Sequence, residues 1–139
     1  MTIFGKLRQR ILTPSESTAT VAKRGFYAKS SEAVALLETI GRSFLSGYRY
    51  AVGARTIIDA ESDLETVPRR FRGFAYEGAA MGYAVLDGTG LGGRRNISTF
   101  MDGPGRAHIY MAYIGIGWGT AVGPLPWVRW TSRSTRIGG

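Results

Sequence analysis

The sequence predicts a mainly α-helical protein, with an α+β fold that carries one or two short strands as the alternative. Three long stretches repeat apolar or small residues at steps of three and four, the spacing of one helix face. Glycine makes up 20 of the 139 residues, about twice the usual share of about 7%. Small side chains let helix backbones approach one another. We therefore expect glycine-rich, close-packed helices.

The length of the chain suits a single domain over residues 1–139. The chain has no cysteine, which excludes disulfides, thiolate catalysis and zinc–thiolate sites. His108 is its only histidine, so a centre with several histidine ligands is excluded too, and we expect no metal site. The absence of cysteine fits a reducing, cytoplasmic compartment. The sequence leaves the cofactor and the oligomeric state open.

The formal net charge of +8 gives the chain a general attraction for anions. No motif of a nucleic-acid-binding fold accompanies this charge, so we expect a solvated surface and no specific nucleic acid partner. Residues 1–16 form a basic amphipathic segment. Its apolar residues fall on one face of a helix: Ile3, Phe4, Leu7, Ile11 and Leu12. This face is expected to pack on the protein or to make weak contact with an anionic membrane.

A short strand is predicted at residues 18–23, where threonines and valine alternate with other residues. Residues 30–54 contain the clearest helix, of about 20 residues, with Leu37 and Tyr48 on its apolar side. Residues 54–74 form a polar connection. Its alternating acids are Asp59, Glu61, Asp63 and Glu65. The spacing and glycine of a calcium loop are absent, so these acids are expected on a solvated helix or loop.

Residues 74–86 carry one acid, Glu77, and otherwise only apolar residues, tyrosines and glycines. A helix that is apolar all round is buried. Its flattest face is formed by small residues: Ala75, Gly78, Ala79 and Gly82. We expect this face to lie against the glycine face of residues 108–122, which includes Gly115 and Gly119. A buried carboxylate is costly, so Glu77 should have a partner such as Arg72 or a tyrosine hydroxyl, or a raised pKa.

Residues 87–107 contain two clusters of turn residues and are predicted to form a loop. Residues 108–122 favour a helix over a strand because the apolar run is long. The uncharged run of residues 109–128 has the length of a membrane span, but its glycines and prolines disfavour that interpretation. Residues 131–139 are expected to form a disordered basic tail.

Two residues are candidates for catalysis, Glu77 and His108. A carboxyl group in an apolar site has a raised pKa and can act as a general acid or base. A histidine at the start of an apolar element can shuttle protons. The structural alternatives are an ion pair between Glu77 and Arg72, and a turn-capping role for His108.

A set of aromatic residues could line a pocket for a flat or polyene ligand: Tyr76, Tyr83, Tyr110, Tyr113 and Trp118. Simple core packing is the alternative. Structural roles are expected for Arg72 and for four glycines, Gly78, Gly82, Gly115 and Gly119.

Four stretches of the chain, in order, are RGF, FLSGYRYAV, RRFRGFAYEGAAMGYAVLD and HIYMAYIGIGWG. Together they resemble a family of actinobacterial proteins of unknown function that are described as enediyne biosynthesis proteins, the domain of unknown function seventeen-oh-two. The resemblance runs from about Arg24 to Trp130. Members of that family are longer, so the resemblance implies that this chain is an N-terminal or truncated portion.

The resemblance also implies an accessory role in making an enediyne or a related polyketide. The protein could be a cofactor-independent enzyme that acts on a hydrophobic intermediate. It could instead be a non-catalytic protein that binds or sequesters the apolar product. Peripheral membrane association through residues 3–12 is a third expectation, which rests on the sequence of that segment alone.

Overall fold

A computed structural model describes residues 2–12 and 31–122 of the chain. The described residues form six α-helices and a short 3-10 helix. They are α1 (Ile3–Leu12), α2 (Ser31–Gly53), α3 (Ile57–Leu64), α4 (Arg69–Thr89), α5 (Asn96–Asp102), the 3-10 helix (Pro104–His108) and α6 (Ile109–Val122).

The prediction of a mainly α fold is confirmed. No β-strand occurs in the described residues, so the α+β alternative is not borne out there. The strand predicted at residues 18–23 and the tail predicted at 131–139 lie outside these residues. None of the described helices has both the length and the apolar character that crossing a bilayer requires.

Helix α4 lies between α2 and α6, which do not contact each other. From Ala75 to Leu86 only Glu77 and Met81 are not fully buried, which confirms that this stretch is a buried helix. The apolar side of α2 becomes buried from Leu45 onward. Leu37, which was predicted on the same side, is exposed, because the packing against α4 involves the second half of α2.

Helices α2 and α4 approach so closely that their backbones are in contact. A Cβ atom added at Gly78 would fall on the carbonyl group of Phe44, and one added at Gly47 would fall on that of Ala75. At Gly82 an added Cβ would lie 3.1 Å from the carbonyl oxygen of Tyr48. Only glycine fits at the first two positions without a shift of one helix.

Helix α6 also packs closely on α4 through glycines, but on another side of α4. A Cβ atom added at Gly115 would fall on the carbonyl group of Glu77, and one added at Gly119 would lie 2.7 Å from the Cβ of Ala84. The expected pairing was therefore wrong. The face from Ala75 to Gly82 packs on α2, not on α6. Both neighbours present small residues, so the flatness of a face did not identify its partner.

The prediction of a loop at residues 87–107 was also wrong, because α5 and most of the 3-10 helix lie in this range. The carboxylate of Asp87 accepts hydrogen bonds from the backbone N–H groups of Asn96 and Ile97, both at 2.9 Å, and from the side-chain amide of Asn96 at 2.7 Å. These bonds satisfy the first N–H groups of α5. Phe100 of α5 is buried against α4, which fixes the helix in place.

Candidate functional site

A hydrogen-bonded cluster forms around the start of α4, with the carboxylate of Glu65 at its centre. Tyr76 donates its hydroxyl hydrogen to Oε1 of Glu65 at 2.8 Å, and Nη1 of Arg72 donates to Oε2 at 2.6 Å. Arg72 also donates to the backbone carbonyls of Glu65 and Val67. Arg72 and Tyr76 are four residues apart and share one face of the helix. The cluster ties α4 to the segment that precedes it.

Tyr76 acts as a hydrogen-bond donor in this cluster. Burial raises the pKa of its hydroxyl, and the hydrogen bond to Glu65 raises that pKa further. Both effects favour the neutral phenol over the phenolate. Tyr76 therefore serves as a fixed donor to Glu65.

The ring of His108 contacts that of Tyr76, with 4.2 Å between the ring centroids and an angle of 31° between the ring planes. Burial lowers the pKa of His108, the nearby carboxylate of Glu65 opposes this effect, and the guanidinium of Arg72 adds to it. The net shift is downward, so the imidazole is neutral near pH 7. The structure thus places His108 beside Glu65, Arg72 and Tyr76.

Glu77 lies on the side of α4 that faces α6, and it is half-buried. Within the described part of the chain, no side chain or backbone group forms an ion pair or hydrogen bond with its carboxyl group. Burial raises the pKa of Glu77. Of the two expected outcomes, a partner or a raised pKa, the structure shows the raised pKa. Arg72 pairs with Glu65 instead.

The two candidate catalytic residues lie along one contact but do not bond to each other. Gly73, one turn before Glu77, lies beside His108, because a Cβ added there would be 3.9 Å from Nδ1 of the imidazole. Glu77 and His108 thus lie along the same contact between α4 and the segment that follows α5. The pKa of Glu77 is set by burial, whereas that of His108 also depends on Glu65 and Arg72. No hydrogen bond joins them as a donor and acceptor pair.

The five aromatic candidates are not brought together. Tyr76 and Tyr83 are buried, and their ring centroids lie 5.9 Å and 4.9 Å from that of Phe100. The other three are exposed on the outer side of α6: Tyr110 at 83%, Tyr113 at 61% and Trp118 at 55%. Two candidates thus belong to the core and three to the surface.

A cleft of about 410 Å³ opens at the start of α3. Its lining is mostly polar and comprises Ala54, Arg55, Asp59, Ser62 and Asp63. The cleft contains none of the predicted site residues. The acids of this stretch do lie on a helix, one of the two forms expected for them, but Glu65 follows the helix and belongs to the Tyr76 cluster.

Helix α1 packs on the C-terminal end of α2 through its polar side. Arg8 donates from Nε to the carbonyl oxygen of Val52 at 2.6 Å and from Nη2 to that of Ala54 at 3.1 Å. Gln9 donates to the carbonyl oxygen of Arg49 at 2.9 Å. These bonds satisfy carbonyls at a helix end, and the charge of Arg8 suits the negative end of the helix dipole.

The apolar side of α1 consequently faces away from the protein. Ile3 is 85% exposed, Phe4 is 83% exposed and Leu7 is 54% exposed. Lys6 and Arg10 are exposed on the adjoining side of the helix. Of the other apolar residues predicted on this face, Leu12 packs on the core instead, and the side chain of Ile11 lies outside the described residues. We call the exposed set Ile3, Phe4, Lys6, Leu7 and Arg10 the α1 surface.

Reasoning from the sequence missed the role of Glu65 and left the orientation of α1 open between two alternatives. Glu65 precedes Arg72 by seven residues across a turn at Pro68, so helical spacing does not reveal their contact. The orientation of α1 had a visible signal. Gly5, Arg8, Gln9 and Leu12 recur at steps of three and four, and they form the side that contacts the protein.

The hydroxyl groups of Tyr76 and Tyr83 provide a matched test of this geometry. Tyr83 is equally buried, but its hydroxyl has no hydrogen-bond partner among the described residues. Tyr76→Phe should lower the free energy of unfolding by about 1 kcal/mol, because it removes a bond to a carboxylate that remains partly hydrated. Tyr83→Phe should leave that free energy unchanged or raise it. Urea denaturation of both variants measures the difference, and equal losses would contradict the assigned hydrogen bonding.

The raised pKa of Glu77 predicts a pH dependence of stability. The pKa of such a carboxyl is higher in the folded state than its ordinary value of 4.5. Its contribution to the free energy of unfolding is fully present below the ordinary value. That contribution is lost as pH rises through the folded-state pKa. Glu77→Gln cannot ionise. It should therefore raise the free energy of unfolding relative to the wild type more at about pH 7 than at about pH 4.

Denaturation of the wild type and Glu77→Gln at the two pH values checks this. Glu38→Gln is the control, because Glu38 forms only a 3.9 Å exposed ion pair with Arg42, a kind of pair that contributes little. The burial of Glu77 is refuted if Glu77→Gln changes stability equally at both pH values.

Comparison with known proteins connects this fold to a family. No curated protein and no solved structure matches the chain significantly. A family model described as protein of unknown function, DUF1702, matches residues 3–138. The match includes every described helix and all the candidate residues. The chain therefore belongs to the DUF1702 family of proteins of unknown function.

Proposed function

We propose that the protein is a peripheral membrane protein that binds anionic lipid through the α1 surface. The observation that carries the proposal is the orientation of α1. The polar side of this helix contacts the protein, while its apolar and basic side faces outward. An amphipathic helix in a soluble domain normally buries its apolar side.

The composition of the α1 surface fits a lipid headgroup region. Full burial of one such apolar side chain contributes about 1.5–3 kcal/mol. Ile3, Phe4 and Leu7 are already partly buried, so their insertion would contribute roughly twice that amount. Each basic residue near an anionic surface adds about 1 kcal/mol. Lys6 and Arg10 adjoin the apolar residues, and α1 contains no acid to oppose them. Apolar burial and charge thus favour the same orientation on the membrane.

The hydrogen bonds of Arg8 and Gln9 hold α1 in this orientation. A rotation of the helix that buried Phe4 against the protein would break these bonds and leave carbonyls of α2 without partners. Unsatisfied buried carbonyls are unfavourable. The outward face of α1 is therefore fixed by the fold and already present before any lipid is bound.

The resemblance to actinobacterial enediyne biosynthesis proteins supplies the proposed setting. There the protein would be an accessory component that binds a hydrophobic polyketide intermediate or product at the cytoplasmic membrane face, where anionic lipids give a negative surface potential. We propose binding rather than catalysis, because no hydrogen bond joins Glu77 and His108 as a proton donor and acceptor pair.

Cosedimentation with vesicles tests the membrane proposal. The wild type should sediment with phosphatidylcholine vesicles that contain phosphatidylserine, and binding should weaken as salt is added. The double variant Ile3→Ser, Phe4→Ser should bind at least about tenfold more weakly, because it removes most of the inserted apolar surface. Ile58→Ser is the control, since Ile58 is an apolar residue on α3 that is also largely exposed, at 72%.

Circular dichroism should show the same helix content in all three proteins, since neither change touches a buried residue. The membrane proposal fails if the wild type stays in the supernatant with anionic vesicles at low salt. It also fails if the double variant binds as tightly as the Ile58→Ser control.

A further inference from the structure

The outer side of α6 is a continuous uncharged surface. Its residues recur at steps of three and four and are all exposed: Tyr110, Tyr113, Ile114, Gly117, Trp118 and Ala121. We call this set the α6 outer face. Helix α6 contains no charged residue at all, so the apolar character of the outer face is not interrupted. Exposed apolar patches of several hundred Å² mark interaction sites.

The two sides of α6 share a pattern of small residues. On the inner side, Gly115 and Gly119 are four residues apart and let the backbone of α4 approach. On the outer side, Gly117 and Ala121 are also four residues apart. A Cβ atom added at Gly117 would meet nothing within 4 Å. The outer face therefore has the shape that packs another helix closely, and its glycine is not required by any contact within the described fold.

We propose that the α6 outer face is the interface of a homodimer in which α6 packs against α6 of a second copy. Charge identifies this face as the place where two copies can meet. Two molecules that each carry a net charge of +8 repel one another over most of their surface, and an uncharged face is where they can meet without juxtaposing like charges. The face is also suited to an isologous contact. Tyr113 and Trp118 lie on either side of the small residues Gly117 and Ala121, so the aromatic side chains of one copy can pack on the small residues of the other.

The area of the face is consistent with a dimer. Aromatic side chains bury about 150–250 Å² each. At the exposures of its three aromatic residues and Ile114, the face offers on the order of 500 Å² per copy. Two copies would bury on the order of 1,000 Å², before neighbouring residues are counted, which approaches the lower end of the range for stable interfaces. The inference is independent of the membrane proposal, which involves α1.

Sedimentation equilibrium in the absence of lipid tests the dimer. The wild type should show a concentration-dependent monomer–dimer equilibrium. Gly117→Glu should raise the dissociation constant at least about tenfold, because two carboxylates would meet in an apolar contact. The monomer should tolerate this change, since the position is open and glutamate favours a helix more than glycine does. Ile58→Glu is the control and should leave the dissociation constant unchanged.

Crosslinking locates the contact. The chain has no cysteine, so Gly117→Cys supplies a single thiol. Mild oxidation should link two copies, because crossing helices bring the Cβ atoms within about 4 Å. Ile58→Cys should remain uncrosslinked.

The dimer is refuted if the wild type is monomeric at every concentration. It is equally refuted if Gly117→Glu associates like the control, or if Gly117→Cys does not crosslink. Vesicle binding that Gly117→Glu abolishes while the wild type stays monomeric would assign the face to lipid instead. The double variant at Ile3 and Phe4 should still dimerise, and Gly117→Glu should still bind anionic vesicles. The membrane proposal and the dimer proposal can therefore fail independently of each other.

Discussion

Backbone contact between α4 and both of its neighbours is the constraint on which this fold depends. Gly78 admits the carbonyl of Phe44, Gly47 admits that of Ala75, and Gly115 admits that of Glu77. At such separations there is no layer of side chains between the helices. The long aromatic side chains consequently lie beside these crossings or on the outside of the bundle. Glycine at these crossings is thus a requirement of the packing geometry.

This constraint also shapes where the molecule can interact. The sides of α4 that meet α2 and α6 are occupied by backbone contacts, which leave no space for a ligand at the crossings. Tyr76 and Tyr83 fill the core beside Phe100. Most of the exposed large apolar residues in the described part of the chain lie on the outer sides of α1 and α6. Both proposals accordingly concern surfaces: α1 with adjoining basic residues for a lipid headgroup region, and α6 without charge for a second copy.

The helices were predictable because their apolar periodicity is local, whereas their partners were not. Residues 74–86 showed a flat face, but α2 and α6 both offered small residues to meet it. Helix α5 was mistaken for a loop because turn residues flank it, and its cap, Asp87, lies nine residues before Asn96. Glu65 was assigned to a solvated acidic stretch because its contacts with Arg72 and Tyr76 arise only once the turn at Pro68 has formed. Contacts that form only when the folded chain brings distant residues together leave little signal in residue spacing.

The most direct test of the central constraint compares alanine at two glycines of α4 by urea denaturation. Gly78→Ala should lower the free energy of unfolding by about 1–3 kcal/mol or more, because its Cβ would fall on the Phe44 carbonyl. Gly73→Ala should raise it by up to about 1 kcal/mol, since its Cβ would lie 3.7 Å from Met111 in an ordinary contact and alanine favours the helix. Equal effects of the two substitutions would contradict the account, because they would show that the backbones of α2 and α4 do not touch at Gly78.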